Sequence, residues 1–176
     1  MPLALNYAVH RVGPDASDLA PGLTRIAVDA KRSWDYPEAW IEAWIPDLTI
    51  TPAMFTTHGI WVALHTDPDA SRSAEFPAGV PVGFTVLSRP EPSDGTSTAR
   101  LEHCWIDPSH QGKGLGRALF EQLLAAARDE GAKILEVVSD PNATGFYEGL
   151  GFLPCGTLRA DVLGRRRELP VLRLAL

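Results

Sequence analysis

At 176 residues, with 45% hydrophobic and 22% charged positions, the chain can bury a sizeable core as one domain over 1–176 and is too apolar for disorder. Sixteen Lys and Arg against 22 Asp and Glu leave a net charge of −6, which argues against a nucleic-acid surface and mildly favours cationic or neutral substrates. Cys104 and Cys155 form no metal-ligand spacing and are too few for a disulfide framework, so a reducing cytoplasm fits and no metal is implied.

The opening MPLALNYAVHRV lacks a basic start followed by a long apolar run, so no signal peptide is expected, and no apolar run is long enough to span a membrane. LNYAVHRV alternates as a first strand. Asp15 or Ser17 is placed to cap a helix through LTRIAVDAKRSW, where Leu23, Ile26, Ala27 and Ala30 share a face. Pro37 suits a first helical position, so YPEAWIEAWI reads as a second helix stopped before Pro46, with a short turn or helix after Thr51-Pro52. HGIWVALH and PVGFTVLS read as strands, separated by the polar, proline-bearing loop TDPDASRSAEFPAG. RPEPSDGTST is a second exposed connection.

The stretch from Ala99 to Gly131 carries most of the information. ARLEHCWI is a strand that ends at Asp107-Pro108, because proline cannot donate to a ladder and biases its neighbour away from helix. A glycine-rich turn follows. Then Leu115, Leu119, Phe120, Leu123 and Ala127 fall on one helical face, with Arg117, Glu121, Arg128 and Asp129 opposite and Gly131 as the stop. Glycines at 112, 114 and 116 leave amides uncovered where the helix dipole is positive, a cradle suited to a pyrophosphate. The turn is no Walker loop, since Lys113 precedes Gly114 and not Ser or Thr, and it lacks the dinucleotide G-x-G-x-x-G spacing.

Gln111-x-x-Gly114-x-Gly116 after strand-Asp-Pro, followed by AKILEVVSDPNATGFYEGLGF, resembles the acetyl-CoA signature of the GNAT superfamily of N-acyltransferases and the strand, tyrosine-bearing helix and Gly-Phe that follow it. The resemblance covers about Ala99 to Phe152. It implies an α/β fold of the α+β type: a mixed, twisted sheet of six or seven strands with about four helices on both faces. It carries pyrophosphate-binding amides onto Gln111, Gly112, Lys113, Gly114, Leu115, Gly116 and Arg117, with Lys113 and Arg117 adding charge or lying solvated. Cys104, Trp105 and Ile106 match the strand that pairs with the pantetheine arm. The amide of Cys104 or Trp105 would meet the thioester oxygen. Cys104 as an acetyl-accepting nucleophile is the weaker reading, because no base pattern accompanies it; direct attack by the amine is preferred.

Two proton transfers remain. An alkylammonium has no lone pair, so a base must deprotonate it. Alternation places Arg100, Glu102 and Cys104 on one face and Leu101 and His103 on the other until a bulge resets the phase. Glu102 matches the face from which several GNAT enzymes draw a base, directly or through water, and partial burial would raise its pKa; His103 is second. Tyr147 matches the family's general acid to the thiolate, a phenol that stays protonated at neutral pH. One departure stands out. The family's asparagine seven residues before that tyrosine is here Asp140, and Asn142 comes late. Asn142, whose amide both donates and accepts, is favoured as the pantetheine contact.

The acceptor side carries no motif. Trp40 and Trp44, at helical spacing, read as packing residues. The corner Ser33 to Tyr36 flanks the substrate groove in similar proteins, so Trp34 and Tyr36 (together with Glu102) are candidate substrate contacts, with Asp35 and Glu38 available to a cationic amine. After Phe152, LPCGTLRADVLGRRRELP reads as an irregular hairpin whose Arg165–Arg167 cluster is a solvated loop or a border of the acceptor site or CoA 3′-phosphate. The function these features imply is transfer of acetyl from acetyl-CoA to a primary amine of a small molecule or peptide. A non-catalytic CoA-binding sensor or regulator is the alternative, and the tryptophans leave a homodimer open.

Overall fold

The structure, a computed structural model, describes residues 6–66, 79–93 and 96–176. The expected loop TDPDASRSAEFPAG lies almost wholly outside them. Strands β1 (Tyr7–Val12), β2 (Gly59–His65), β3 (Val80–Leu87) and β5 (Thr96–Ile106) pair antiparallel in that order. The short β4 (Glu91–Ser93) pairs with the start of β5. Beyond β5 lie β6 (Ile134–Val138), parallel to it, then β8 (Arg165–Ala175), and β7 (Leu153–Val162) at the far edge.

Helices cover both faces because neighbouring strand residues point to opposite sides and both sets are apolar. On one face Leu23, Ile26 and Ala27 of α1 (Ala20–Arg32) and Ile41 of α2 (Glu38–Leu48) pack on Ile60, Val62, Phe84 and Val86. On the other, Leu115, Leu119, Leu123 and Ala127 of α4 (Leu115–Asp129) pack on Trp61, Ala63, Val82, Leu101 and Leu135. The α4 stripe is the one the sequence periodicity predicts. Two short helices, α3 (Met54–Thr57) and α5 (Thr144–Glu148), complete the mixed α+β architecture.

Several local expectations need correction. Neither Asp15 nor Ser17 caps α1; both lie in a 3-10 turn over Pro14–Leu19, and α1 begins without a side-chain cap. The second helix runs through Pro46 to Leu48. The bond proline forfeits there is to the carbonyl of exposed Glu42, which water can serve. Arg165–Arg167 are the start of strand β8, not a loop, because the reversal is made tightly at Leu163 (φ 49°) and Gly164 (φ 75°).

The feature that positions the site is the parting of β5 from β6. Their ladder runs only over Thr98↔Ile134, Ala99↔Leu135 and Arg100↔Glu136. Beyond it β5 stays with β3 as far as Ile106, and β6 stays with β8 as far as Val138. The β3–β5 register steps from Val86↔His103 to Leu87↔Leu101, so Glu102 is the bulged residue. An extra residue bends and twists its strand, which swings β5 away from β6.

Candidate active site

The turn between β5 and α4 leaves a run of main-chain donors unused. From Gly112 to Arg117, no amide donates to a protein acceptor among the described residues; helical bonding resumes with Ala118 N–H to the Gly114 carbonyl, 3.1 Å. Gly112 (φ 73°) and Gly114 (φ 82°) hold left-handed backbone that costs a side-chain residue about 1–2 kcal/mol. A Cβ at either would touch no protein atom within 4 Å, so the space beside both glycines is open. No acidic residue lies in the first turn of α4 to oppose an anion. Asp107, which precedes the turn, is occupied by the Ser109 amide at 2.9 Å and the Ser109 hydroxyl at 2.5 Å. Gln111 Nε2 ties the turn to the Ile106 carbonyl at 3.1 Å.

That turn forms one end of a cleft of about 440 Å³ that runs into the gap between β5 and β6. Gln111, Gly112, Gly114, Leu115, Gly116 and Arg117 line the turn end. Cys104, Trp105 and Ile106 form one wall of the gap; Asn142, Ala143, Phe146 and Tyr147 form the other. Lys113 is not part of the lining: its ammonium folds back to the Ser109 carbonyl at 3.1 Å. The residues present therefore fit an elongated ligand with an anionic end, and acetyl-CoA has that shape and charge.

Tyr147 is buried in this wall at 6% exposure, and its hydroxyl has no hydrogen-bond partner among the described residues. Since among the described residues no buried side-chain nitrogen or oxygen lacks a partner, that hydroxyl keeps access to the cleft that Tyr147 lines. Burial and the neighbouring Cys104 hold the phenol well above its ordinary pKa, so it is a proton donor throughout the physiological range. Burial pushes the Cys104 thiol up to about 12, leaving no thiolate for nucleophilic attack.

The base candidates stand apart from the cleft. The bulge falls at Glu102, so the phase resets between Leu101 and His103. Cys104 thereby joins Ala99 and Leu101 on the α4 side, while His103 packs against Phe84. His103 is not in the cleft lining; its Nδ1 accepts from the Trp105 indole at 3.2 Å, and burial, with His58 nearby, depresses it to about 4. It is a neutral ring with its acceptor nitrogen already used. Glu102 is solvent-exposed at the bulge and also outside the lining, so it can reach the gap only through water.

On the acceptor side, Trp34 lines the cleft and stacks near Trp105 at 5.6 Å between centroids. Tyr36 instead joins a polar cluster: its hydroxyl donates to Asp140 (2.9 Å) and accepts from Asn142 Nδ2 (2.9 Å) and Arg167 (2.8 Å). Burial and Asp140 raise Tyr36 to about 12. Asp140 also takes Lys31 at 2.7 Å and Arg167 at 3.2 Å. Burial alone would raise this carboxyl; Lys31, the Asn142 amide and Tyr36 outweigh it and hold it at about 2. Asp140 is thus a structural hub, and Asn142, which lines the cleft, spends its Nδ2 on Tyr36 and Asp140 and has no partner for its carbonyl oxygen among the described residues. Glu38 is occupied by Arg32 on the surface. Lys31 escaped the sequence reading, although a lysine continuing the buried Leu23–Ala27 stripe was an available signal. Arg167 belongs to the arginine cluster read as a solvated loop or a border of the acceptor site, and the structure ties it to Asp140 and Tyr36.

Comparison with known proteins gives the same picture. Residues 25–152 match the model of the Acetyltransferase (GNAT) family. Over 80 residues the chain is 39% identical to serotonin N-acetyltransferase 2, chloroplastic, of Oryza sativa subsp. japonica, covering 46% of this chain and 38% of that one. Over 95 residues it is 34% identical to peptidyl-lysine N-acetyltransferase YjaB of Escherichia coli K12, covering 54% and 56%. The chain thus spans about half or less of the length of these relatives. Two crystal structures share its fold along nearly the whole chain. A GCN5-related N-acetyltransferase from Rhodopseudomonas palustris has TM-score 0.71 at 21% identity, covering 100% and 99%, and a GNAT family acetyltransferase from Elizabethkingia anophelis with acetyl-CoA bound has TM-score 0.61 at 16%, covering 98% and 99%. The chain belongs to the GNAT acetyltransferase family.

Proposed function

We propose that the protein transfers an acetyl group from acetyl-CoA directly to a primary amine of a small molecule or peptide. The observation that carries this reading is the coincidence, in one cleft, of an open run of amides from Gly112 to Arg117 and the unpartnered hydroxyl of Tyr147. The activities for which the rice and E. coli relatives are named, one on serotonin and one on peptidyl lysine, are both amine acetylations, and the Elizabethkingia neighbour holds acetyl-CoA.

When bound, acetyl-CoA supplies an activated acyl thioester. The amides of the turn and Arg117 hold its diphosphate. Backbone groups of Cys104, Trp105 and Ile106, with Asn142 opposite, align the pantetheine arm, and the amide of Cys104 or Trp105 donates to the carbonyl oxygen as charge builds there. Trp34 borders the acceptor. The acceptor ammonium loses one proton through water to Glu102, which passes it to solvent. As the new N–C bond forms and the C–S bond breaks, the nitrogen sheds its second proton to water, and Tyr147 gives its proton to the departing sulfur and recovers one from solvent.

The exposure of Glu102 is the observation that favours the second reading, a CoA-binding sensor that turns nothing over. Thiol release from acetyl-CoA across a panel of amines and lysine peptides decides between them. The enzyme reading expects amine-dependent release that falls about a hundredfold or more in Tyr147→Phe, with acetyl-CoA binding retained. Tight binding of acetyl-CoA with no amine-dependent release overturns it.

A further inference from the structure

A second cavity of about 330 Å³ shares Trp105 as a wall with the acetyl-CoA cleft. Its interior is set by three charged side chains drawn from three elements: Lys31 of α1, Asp140 after β6 and Arg167 of β8. All are nearly buried, at 10%, 6% and 12% side-chain exposure. Tyr36, which bridges them, is a neutral phenol. Two basic side chains therefore face one carboxylate, and although burial lowers the Lys31 ammonium, its hydrogen bond to Asp140 opposes that.

The carboxylate has nothing left to offer. One Asp140 oxygen accepts from Tyr36, from the Asn142 amide and from Asn142 Nδ2; the other takes Lys31 and Arg167. The aromatic faces that would greet a cationic ligand are also taken. Lys31 Nζ sits 4.5 Å from the Trp44 ring centroid, and the Arg167 guanidinium 4.7 Å from the same ring and 4.9 Å from Tyr36. Donors, by contrast, remain. Among the described residues Lys31 donates one hydrogen bond, and Arg167 donates only through Nη2. Among the described residues no buried side-chain nitrogen lacks a partner, so the unused guanidinium nitrogens of Arg167, a residue of the cavity lining, keep solvent access. The other acids of the lining, Asp47 and Asp161, are solvent-exposed, and Asp161 is held by the Gly164 amide at 2.9 Å.

We propose that the acceptor is an amine carrying its own carboxylate, a small molecule of amino-acid type, with the carboxylate on Lys31 and Arg167 and the amine towards Trp105. This rests on the acetyl-transfer reading and names its acceptor class. It departs from the net charge of −6, which favours cationic or neutral substrates; two basic side chains inside a pocket outweigh the average of the surface.

The test uses the full chain loaded with free coenzyme A, titrated calorimetrically with the common L-amino acids and with the decarboxylated amine of each. The proposal expects at least one amino acid to bind roughly tenfold or more tightly than its matched amine, the scale of a charge-assisted hydrogen bond, and Arg167→Gln to erase most of that ratio while Arg167→Lys keeps part of it. If no amino acid out-binds its matched amine, the proposal is overturned, whether or not the variants fold. Thiol release from acetyl-CoA with the same two sets separates the two claims. Release with the decarboxylated set alone overturns the carboxylate class and leaves acetyl transfer standing. Tighter binding of the acids without release from either set supports the class and overturns acetyl transfer.

Discussion

Tyr147 and Cys104 show how one environment sorts two side chains. Burial keeps both protonated, which suits a phenol that donates and disables a thiol that would attack. Cys104→Ala is therefore expected to retain most of its kcat, and intact-mass measurement after incubation with acetyl-CoA should show no acetylated protein; an acetyl adduct lost in the variant would restore the nucleophile. Asp140 makes a different claim. Asp140→Asn would leave Lys31 and Arg167 buried without their counter-charge, and breaking such a group costs about 3–5 kcal/mol, readable as a drop in urea unfolding free energy. Tyr147 was singled out in the sequence because FYEGLGF resembles the family's tyrosine-bearing helix, and the structure puts it on α5 in the cleft lining. The Asp140 cluster was not, because its members come from positions 109, 104 and 27 residues away, and nothing in the chain marks them as a set.

The β5–turn–α4 element is where local sequence decides most. Asp107-Pro108 ends the strand, two left-handed glycines free the amides, and the apolar stripe of α4 seats the helix on the sheet. The same locality sets the limit. The position of the bulge depends on the pairing of β5 with β3, so alternation within β5 alone could not say where the phase resets, and the reset at Glu102 puts Leu101 and His103 on opposite faces. Gly114→Glu tests the element directly. The new side chain has room, at a backbone cost of about 1–2 kcal/mol, but its carboxylate would stand where the diphosphate is to bind. Calorimetry should show acetyl-CoA affinity reduced about a hundredfold or more, with far-UV circular dichroism unchanged; retained affinity would move the cradle elsewhere.

Across the whole molecule, the apolar strand set and the α4 stripe made a two-faced mixed sheet legible, whereas the way β5 parts from β6 emerges only from the assembled register. Stability inherits a pH dependence from a buried histidine of β5 that stands outside the cleft. His103 falls from an ordinary 6.5 to about 4 in the fold, so the unfolded chain takes up its proton first as the pH drops. Its share of stability is complete above about 6.5 and is lost towards 4, on the order of 3 kcal/mol, with Asp140 adding a further loss below its ordinary 3.8. His103→Gln should flatten the urea-unfolding profile between those limits; an unchanged slope would show His103 to be solvated. The central claim is that a thiol-bearing arm lies in the gap beyond Arg100↔Glu136 while bare amides hold its diphosphate. A crystal structure of the protein with coenzyme A measures this. The account predicts the diphosphate on the amides of Gly112–Arg117, the pantetheine between Cys104–Ile106 and Asn142, and the sulfur within hydrogen-bond reach of the Tyr147 hydroxyl. Coenzyme A bound outside that gap, or its sulfur remote from Tyr147, would contradict it.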